Sequence, residues 1–169
     1  KRFMKRILSA FMCAALIAVS LFAFAGCSKS EQADYKIVMI RDGGNVADGA
    51  YNQSAWNGVK AFAEEAGVSY RYYQPKVQEN EKLSLETAEQ YIDLAVKKGA
   101  EYIILPSDVF EVAVYDKAPL YNNVKFILVD GTPHPQGDDT DAYIDNVMCI
   151  SFNSLQSGFI AGYEAVLSG

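Results

Sequence analysis

The stretch YKIVMIRDGGNVADGAYNQSAWNGVKAFAEEAG, residues 35–67, decides the fold. Residues 35–41 form a short apolar run rich in β-branched side chains, which is typical of a buried strand. A glycine-rich acidic turn follows. Apolar residues then recur at the spacing of one helical face, at Ala55, Val59, Phe62, Ala63 and Ala66. Gly67 lies where a left-handed C-cap would end this helix. Strand, loop and helix in this order predict the first unit of a doubly wound sheet.

The rest of the chain repeats this unit. Further strands are predicted over residues 68–73, 101–105, 125–129 and 143–152. Further helices are predicted after Ser84 as N-cap and up to Gly99, over residues 109–118, and over residues 153–167. The connections are too long for hairpins, so the strands are expected to be parallel. We therefore predict an α/β fold, with a Rossmann-like parallel sheet and helices on both faces.

The first 27 residues have the pattern of an export signal. Basic residues within positions 1–6 precede an apolar run over residues 7–24, and the small residues Ala25 and Gly26 precede Cys27. About 18 apolar residues reach roughly 27 Å, so a retained membrane anchor is the alternative. The small pair and the polar residues after Cys27 favour cleavage. We expect residues 1–26 to be a signal peptide and residues 27–34 to be a tether.

The sequence around Cys27 resembles the lipobox of bacterial lipoproteins. This resemblance implies a diacylated Cys27 and an extracytoplasmic protein held to the cell membrane by lipid. Cys13 lies in the segment expected to be removed. Cys149 then remains alone in an apolar run, where we expect a free, buried thiol. No disulfide pair and no metal-ligand spacing are present in the sequence, and we expect neither a cofactor nor a metal.

The charge of the chain excludes one class of partner. All 21 acidic residues come after the first four of the 15 basic residues, so the exported part carries a charge of about −10. A body this acidic repels nucleic acid. The chain begins with Lys1 and stops at Gly169 within a helical pattern, so we expect it to be a piece of a longer protein.

Polar side chains follow several predicted strands at the point where each strand ends. Asp42 follows the first strand, Ser107 and Asp108 follow the third, and Asp130 follows the fourth. Ligands of open parallel sheets bind beyond these carboxyl ends. Carboxylates repel phosphate but accept hydrogen bonds from vicinal hydroxyls of a ribose or sugar. Tyr51 lies in the first such loop and could stack on a base or sugar face.

Two blocks of sequence stand out. The first comprises Asp42-Gly43-Gly44, Asp48 and the run YNQSAWNG at residues 51–58, and the second comprises Phe152, Gln156, Phe159, Ala161 and Gly162. Together they resemble the basic membrane protein (BMP) family, the lipoprotein substrate-binding components of ABC importers known for binding purine nucleosides, with Tyr51 where Phe is commoner in that family. The resemblance covers most of residues 35–165.

The resemblance implies a periplasmic-binding-protein type I-like fold, in which two lobes close on a nucleoside. Residues 35–150 would form the N-terminal lobe, and residues 151–169 the crossover and first helix of a second lobe. Asp42 and Asn52 would bind polar groups of the ligand, Tyr51 would stack on the base, and Asp130 would take the ribose hydroxyls. The expected partners are the ligand and an ABC permease, and the protein is expected to be a monomer.

Structural roles compete with binding at each of these positions. Asp42 could begin an Asx-turn, Asn52 could cap a helix, and Asp130 precedes Gly in an ordinary turn. Ser107 could be an N-cap and Asp108 could favour the positive end of a helix. Trp56 is expected to pack rather than to bind. Acidic loop residues could hold calcium but lack a calcium-loop spacing, and these are Asp138, Asp139 and Asp141.

Two other functions stay open. In an enzyme, paired carboxylates would do acid–base work, although the only His, His134, lies between two prolines and no nucleophile elbow is present. A surface receptor could use the same lobe to present a nucleoside or sugar to a sensor. We expect reversible binding without catalysis.

Overall fold

The computed structural model describes residues 35–168 apart from 44, 48, 50, 79 and 80. The predictions for the signal peptide, the tether and Cys27 lie outside the described residues. Within the described part, the α-helices and strands follow one another in this order: β1 Ile37–Ile40, α1 Tyr51–Ala66, β2 Tyr70–Tyr73, α2 Leu85–Lys97, β3 Tyr102–Pro106, α3 Glu111–Lys117, β4 Lys125–Val129, β5 Val147–Ile150 and α4 Ser154–Ser168. None of these helices has the length and apolarity needed to cross a membrane.

The five strands form one parallel sheet in the order β2-β1-β3-β4-β5. The short apolar runs of β1 and β3 lie at its centre, because a strand covered on both faces needs apolar side chains in both directions. β1 is buried at all four positions. The predicted α/β fold with a parallel sheet is therefore confirmed.

Helices cover the two faces unequally. On one face, Val38, Ile40 and Ile103 pack with the buried sides of α2 and α3 in the larger core. On the other face, residues at alternate positions of the same strands pack against α1, in a smaller core that contains Ile37, Met39, Val59, Ala63 and Ile104. The alternation follows from the pleat of the strands. The prediction of helices on both faces is confirmed.

The helix ends agree with the sequence. The Ser84 hydroxyl accepts a hydrogen bond from the Thr87 amide at 3.2 Å, as an N-cap does. Gly67 and Gly99 have φ values of 66° and 85°, the left-handed conformation that ends α1 and α2. Trp56 packs against the rings of Tyr70 and Tyr72, which confirms a packing role.

Two elements differ from their predicted extents. The helix predicted over residues 109–118 is a short α3 between two 3-10 turns, Asp108–Phe110 and Ala118–Leu120. A serine cap tightens the first turn, and Pro119, which lacks an amide hydrogen, lies in the second. The strand predicted over residues 143–152 shortens to β5, because residues 144–147 form a turn closed by the Val147 amide and the Ile144 carbonyl at 2.9 Å.

Two residues of the apolar face of α1, and the cysteine predicted to be buried, are exposed. Phe62 is 58% exposed, because it borders a recess over β4 and β5 that α1 leaves open. Ala66, the last residue of α1, is exposed as well. Cys149 is also exposed, since β5 is an edge strand, so the prediction of a buried thiol is wrong. All of α4 is exposed as well. Its assignment to a second lobe stays a prediction.

Candidate ligand-binding site

The carboxyl ends of three neighbouring strands gather most of the candidate residues along one edge of the sheet. β1, β3 and β4 are adjacent and parallel, so the residues that follow them emerge at the same edge. Asp42 follows β1, Ser107 follows β3 and Asp130 follows β4. This is the edge at which open α/β sheets bind ligands.

Asn52 and Asp42 join the start of α1 to the end of β1. The Asn52 side-chain amide donates a hydrogen bond to Asp42 Oδ1 at 3.1 Å, and Asn52 is only 3% exposed. Asn52 lies inside the first turn of the helix rather than before it. The bond holds the Asp42 carboxylate against the helix and leaves that carboxylate partly accessible.

Tyr51 and Asp130 join the start of α1 to the end of β4. The Tyr51 hydroxyl donates a hydrogen bond to Asp130 Oδ2 at 2.8 Å. This bond, with the nearby negative charge, raises the pKa of Tyr51 above its ordinary value. Asp130 has a φ of 62°, and its amide donates to the Ile150 carbonyl at 2.7 Å. Because Tyr51 and Asn52 are consecutive, the first turn of α1 contacts both carboxylates.

An apolar recess of about 540 Å³ opens beside this pair. It is lined by Tyr51, Ser54 and Ala55 of α1, by Val129 and Ile150 at the ends of β4 and β5, and by Phe152. The Phe152 ring lies edge-on to the Tyr51 ring, with the centroids 5.9 Å apart. Tyr51 and Phe152 are 43% and 56% exposed. Two accessible rings next to a carboxylate can cover a flat apolar group and bind a hydroxyl at its border.

Ser107 and Asp108 form a local cap. The Ser107 hydroxyl accepts a hydrogen bond from the Val109 amide at 3.3 Å and donates one to Asp108 Oδ1 at 3.0 Å. These bonds order the turn after β3. They give the pair a structural role at the edge of the site, whereas contact with a ligand stays a prediction.

Three residues near the site were not among the predicted ligand-binding residues. Phe152 was part of a family-like block, and its place after an apolar strand was the available signal. Arg41 is buried, with its guanidinium carbon 5.5 Å from the centre of the Tyr72 ring. The sequence signal for Arg41 was its position as a charged residue at the end of an apolar strand. Glu111 contacts the loop after Asp130, and no sequence signal indicates this long-range contact.

Glu111 fixes the loop that begins with Gly131. Its Oε1 accepts a hydrogen bond from the Thr132 amide at 2.8 Å, and its Oε2 lies 3.3 Å from His134 Nε2. A Cβ on Gly131 would lie 2.9 Å from Glu111 Oε1, so a larger residue at this position would displace the Glu111 side chain. The loop after Asp130 is thereby held against α3.

In the acidic loop that contains Asp138, Asp139 and Asp141, the hydrogen bonds of Asp138 go to a residue of the same loop. Asp138 Oδ1 accepts hydrogen bonds from the Thr140 hydroxyl and, to a smaller effect, from the Thr140 amide, and both lower the pKa of Asp138. In the part of the chain that the structure describes, no cluster of His, Cys, Asp and Glu side chains is suited to hold a metal ion.

A protein-family model matches the part of the chain that contains this site. Residues 35–168 match the Bmp family model, described as ABC transporter substrate-binding protein PnrA-like. The chain belongs to the Bmp family. The resemblance seen in the sequence is thus confirmed, and it extends over the whole described region.

Proteins similar to this Bmp family member are considerably longer. The ABC transporter nucleoside-binding protein BmpA of Lactococcus lactis is 27% identical over 83% of this chain, which is 37% of its own length. A CD4+ T-cell-stimulating antigen of Listeria innocua is 30% identical over 85% of this chain and 37% of its own length. An uncharacterized lipoprotein of Pyrococcus abyssi is 29% identical over 69% of this chain. The chain therefore spans little more than a third of the first two relatives.

Solved structures share the fold of this Bmp family member. One from Aeropyrum pernix K1 has a TM-score of 0.55 at 25% identity and is matched over 68% of this chain and 28% of its own. A putative lipoprotein fragment from Peptoclostridium difficile 630 has a TM-score of 0.54 at 19% identity, matched over 80% of this chain and 99% of its own. The latter likeness concerns the fold alone.

Proposed function

We propose that the complete protein is the substrate-binding component of an ABC importer and binds a nucleoside, of the purine class, in a cleft between two lobes. The observation that carries the proposal is the Tyr51–Asp130 pair beside a recess that Phe152 also lines. The rings suit the base and the carboxylate suits the ribose hydroxyls. The family and the nucleoside-binding name of the Lactococcus relative support the same ligand class.

Binding is proposed to be reversible and to proceed without chemistry. Asp42, with Asn52 behind it, would accept hydrogen bonds from ligand N–H or O–H groups, while Ser107 and Asp108 would border the cleft. The lobe that follows residue 150 would supply the opposite wall. A ligand that contacts both lobes stabilises their closed arrangement, because it binds that arrangement more tightly.

Calorimetric titration of the full-length protein, expressed from residue 28 onward, tests the ligand class. The panel contains purine nucleosides, pyrimidine nucleosides, free bases and ribose. We expect binding of one purine nucleoside per protein and recovery of the nucleoside unchanged by chromatography. Binding of sugars alone would contradict the nucleoside assignment, and conversion of the nucleoside would show an enzyme.

Replacement of Asp130 by Asn tests the role of the carboxylate. Asn tolerates the positive φ at this position and keeps the size of the side chain. Loss of a hydrogen bond to a charged group corresponds to about 1.5–3 kcal/mol, or about 10- to 100-fold in affinity. Asp116→Asn removes the same charge from an exposed position on α3 and serves as the control. Equal affinities of the two variants for the nucleoside would show that the Asp130 carboxylate does not bind the ligand.

Lipid anchoring at Cys27 is part of the proposal, and the ABC permease is the proposed membrane partner. A Cys27→Ser variant should move from the detergent phase to the aqueous phase in a phase partition and lose incorporated fatty acid. Deletion of the gene should abolish uptake of labelled nucleoside. Normal uptake after deletion would favour a surface receptor over an importer.

A further inference from the structure

The Tyr51 hydroxyl is hydrogen-bonded to one oxygen of the carboxylate that is proposed to bind the ligand. Its hydrogen bond goes to Asp130 Oδ2, at 2.8 Å. A carboxylate that receives two vicinal hydroxyls ordinarily uses one oxygen for each, because the two oxygens point in different directions. Here, any second donor to Oδ2 has to share that oxygen with the phenol.

The backbone is held in place at both residues of this bond. Tyr51 is the first residue of α1, next to the buried and hydrogen-bonded Asn52. Asp130 is held by its amide bond to the Ile150 carbonyl and by its left-handed backbone conformation. The edge-on contact with Phe152 further restricts the Tyr51 ring. The backbone positions of the two residues and the ring contact therefore favour the bond between the hydroxyl and Asp130.

We propose that the Tyr51 hydroxyl determines sugar specificity, by leaving one oxygen of Asp130 to the ligand. This inference rests on the proposed nucleoside function. It means that Asp130 binds one ribose hydroxyl strongly rather than two. The protein should then discriminate only weakly against a nucleoside that lacks one hydroxyl of the vicinal pair. Phenylalanine at this position would free Oδ2 and make the site demand the complete diol.

The Tyr51→Phe variant of the full-length protein tests this inference, since it keeps the ring and removes only the hydroxyl. Dissociation constants are measured by calorimetry for adenosine, 2′-deoxyadenosine and 3′-deoxyadenosine. We expect the ratio of the deoxy to the ribo dissociation constant to rise at least about five-fold in the variant, for one or both deoxy ligands, as one added hydrogen bond to a charged group implies.

Tyr70→Phe is the matched control. The Tyr70 hydroxyl donates to Glu64 Oε1 at 3.0 Å, so this variant removes the same type of bond at the far end of α1. Its specificity ratio should equal that of the wild type. Thermal unfolding of both variants checks that each is folded before the titrations are compared.

The possible outcomes separate the two proposals. A wild type that binds no nucleoside refutes the proposed function, and this inference with it. A wild type that binds nucleosides, with an unchanged ratio in Tyr51→Phe, overturns this inference alone. A ratio that falls also overturns it, because the hydroxyl would then assist recognition of the diol instead of limiting it.

Discussion

The side-chain amide of Asn52 donates a hydrogen bond to Asp42 Oδ1 at 3.1 Å, from a position that is almost fully buried. Replacement of Asn52 by Asp would put a second carboxylate where the donor now stands. We expect the free energy of unfolding to fall by about 1–3 kcal/mol at pH 7.5, because a donor is lost and two like charges meet.

The pH dependence of this variant has a defined sign. Repulsion raises the pKa of the carboxylate pair in the folded state, so stability falls as the pH rises from about 4 through that raised value. Urea unfolding at pH 4.5 and 7.5 should show the larger loss at pH 7.5. Asn57→Asp, at an exposed position of α1, is the control, and an equal loss in both variants would contradict the pairing.

Asn146 holds the turn after α3 through three backbone carbonyls. Its side-chain nitrogen lies 2.9, 3.1 and 2.9 Å from the carbonyl oxygens of Ala118, Tyr121 and Val124, so its two hydrogens are shared among three acceptors. Asn146→Asp replaces the donor by an acceptor in a buried site. We expect a loss of about 3 kcal/mol or more in urea unfolding.

Asn123 offers a control for that change, because it is an exposed asparagine in the same turn. Asn123→Asp should alter the free energy of unfolding by no more than about 0.5 kcal/mol. A loss at Asn146 as small as this would show that the three carbonyls do not depend on its amide.

His134 lies between two acceptors. Its Nδ1 is 3.0 Å from the Pro135 carbonyl, and its Nε2 is 3.3 Å from Glu111 Oε2. Both ring nitrogens act as donors only in the imidazolium form. The backbone bond, followed by the bond and charge of Glu111, raises the pKa of His134 above its ordinary value.

A raised folded-state pKa means that His134 stabilises the fold at low pH. Its contribution is complete below the unfolded value of about 6.5 and is lost as the pH rises through the folded value. The stability difference between wild type and His134→Gln should therefore be larger at pH 5.5 than at pH 8.5, by at most about 1 kcal/mol. Urea unfolding of both proteins at the two pH values measures it, and a larger difference at pH 8.5 would reverse the assignment.

Gly43 and Gly58 should respond to alanine in opposite directions. A Cβ on Gly43 would lie 2.7 Å from Val77 Cγ2, and the φ of 116° is unfavourable for alanine, so Gly43→Ala should lose about 1–3 kcal/mol. Gly58 lies within α1 with open space around it, so Gly58→Ala should gain about 0.5–1 kcal/mol. Thermal unfolding compares them, and a gain at Gly43 would show that the turn after β1 adapts.

Local signals in the sequence were sufficient for most of the fold. The apolar runs predicted β1, β3 and β4, and the long connections between strands predicted that the sheet is parallel. Ser84, Gly67 and Gly99 marked helix ends that the structure confirms. These signals act within a few residues, through hydrogen bonds and backbone conformation, and each can be recognised without knowing what lies across the sheet.

Burial next to a partly covered sheet was harder to predict. Phe62 has the spacing of a buried position on α1, and Cys149 lies in an apolar run. Both are exposed, because α1 covers only part of its face and β5 lies at the edge. Periodicity shows which side of an element is apolar, but it does not show whether another element lies against that side.

By itself, the sequence determined the parallel α/β fold, the family, and the expectation that acidic side chains follow several strands. Only the tertiary structure decided which of these side chains meet. Tyr51 and Asp130 are 79 residues apart, and their bond exists because the strand order places β4 where the first turn of α1 can reach its end. Strand order depends on how whole faces pack together, and this information is not contained in any single stretch of the chain.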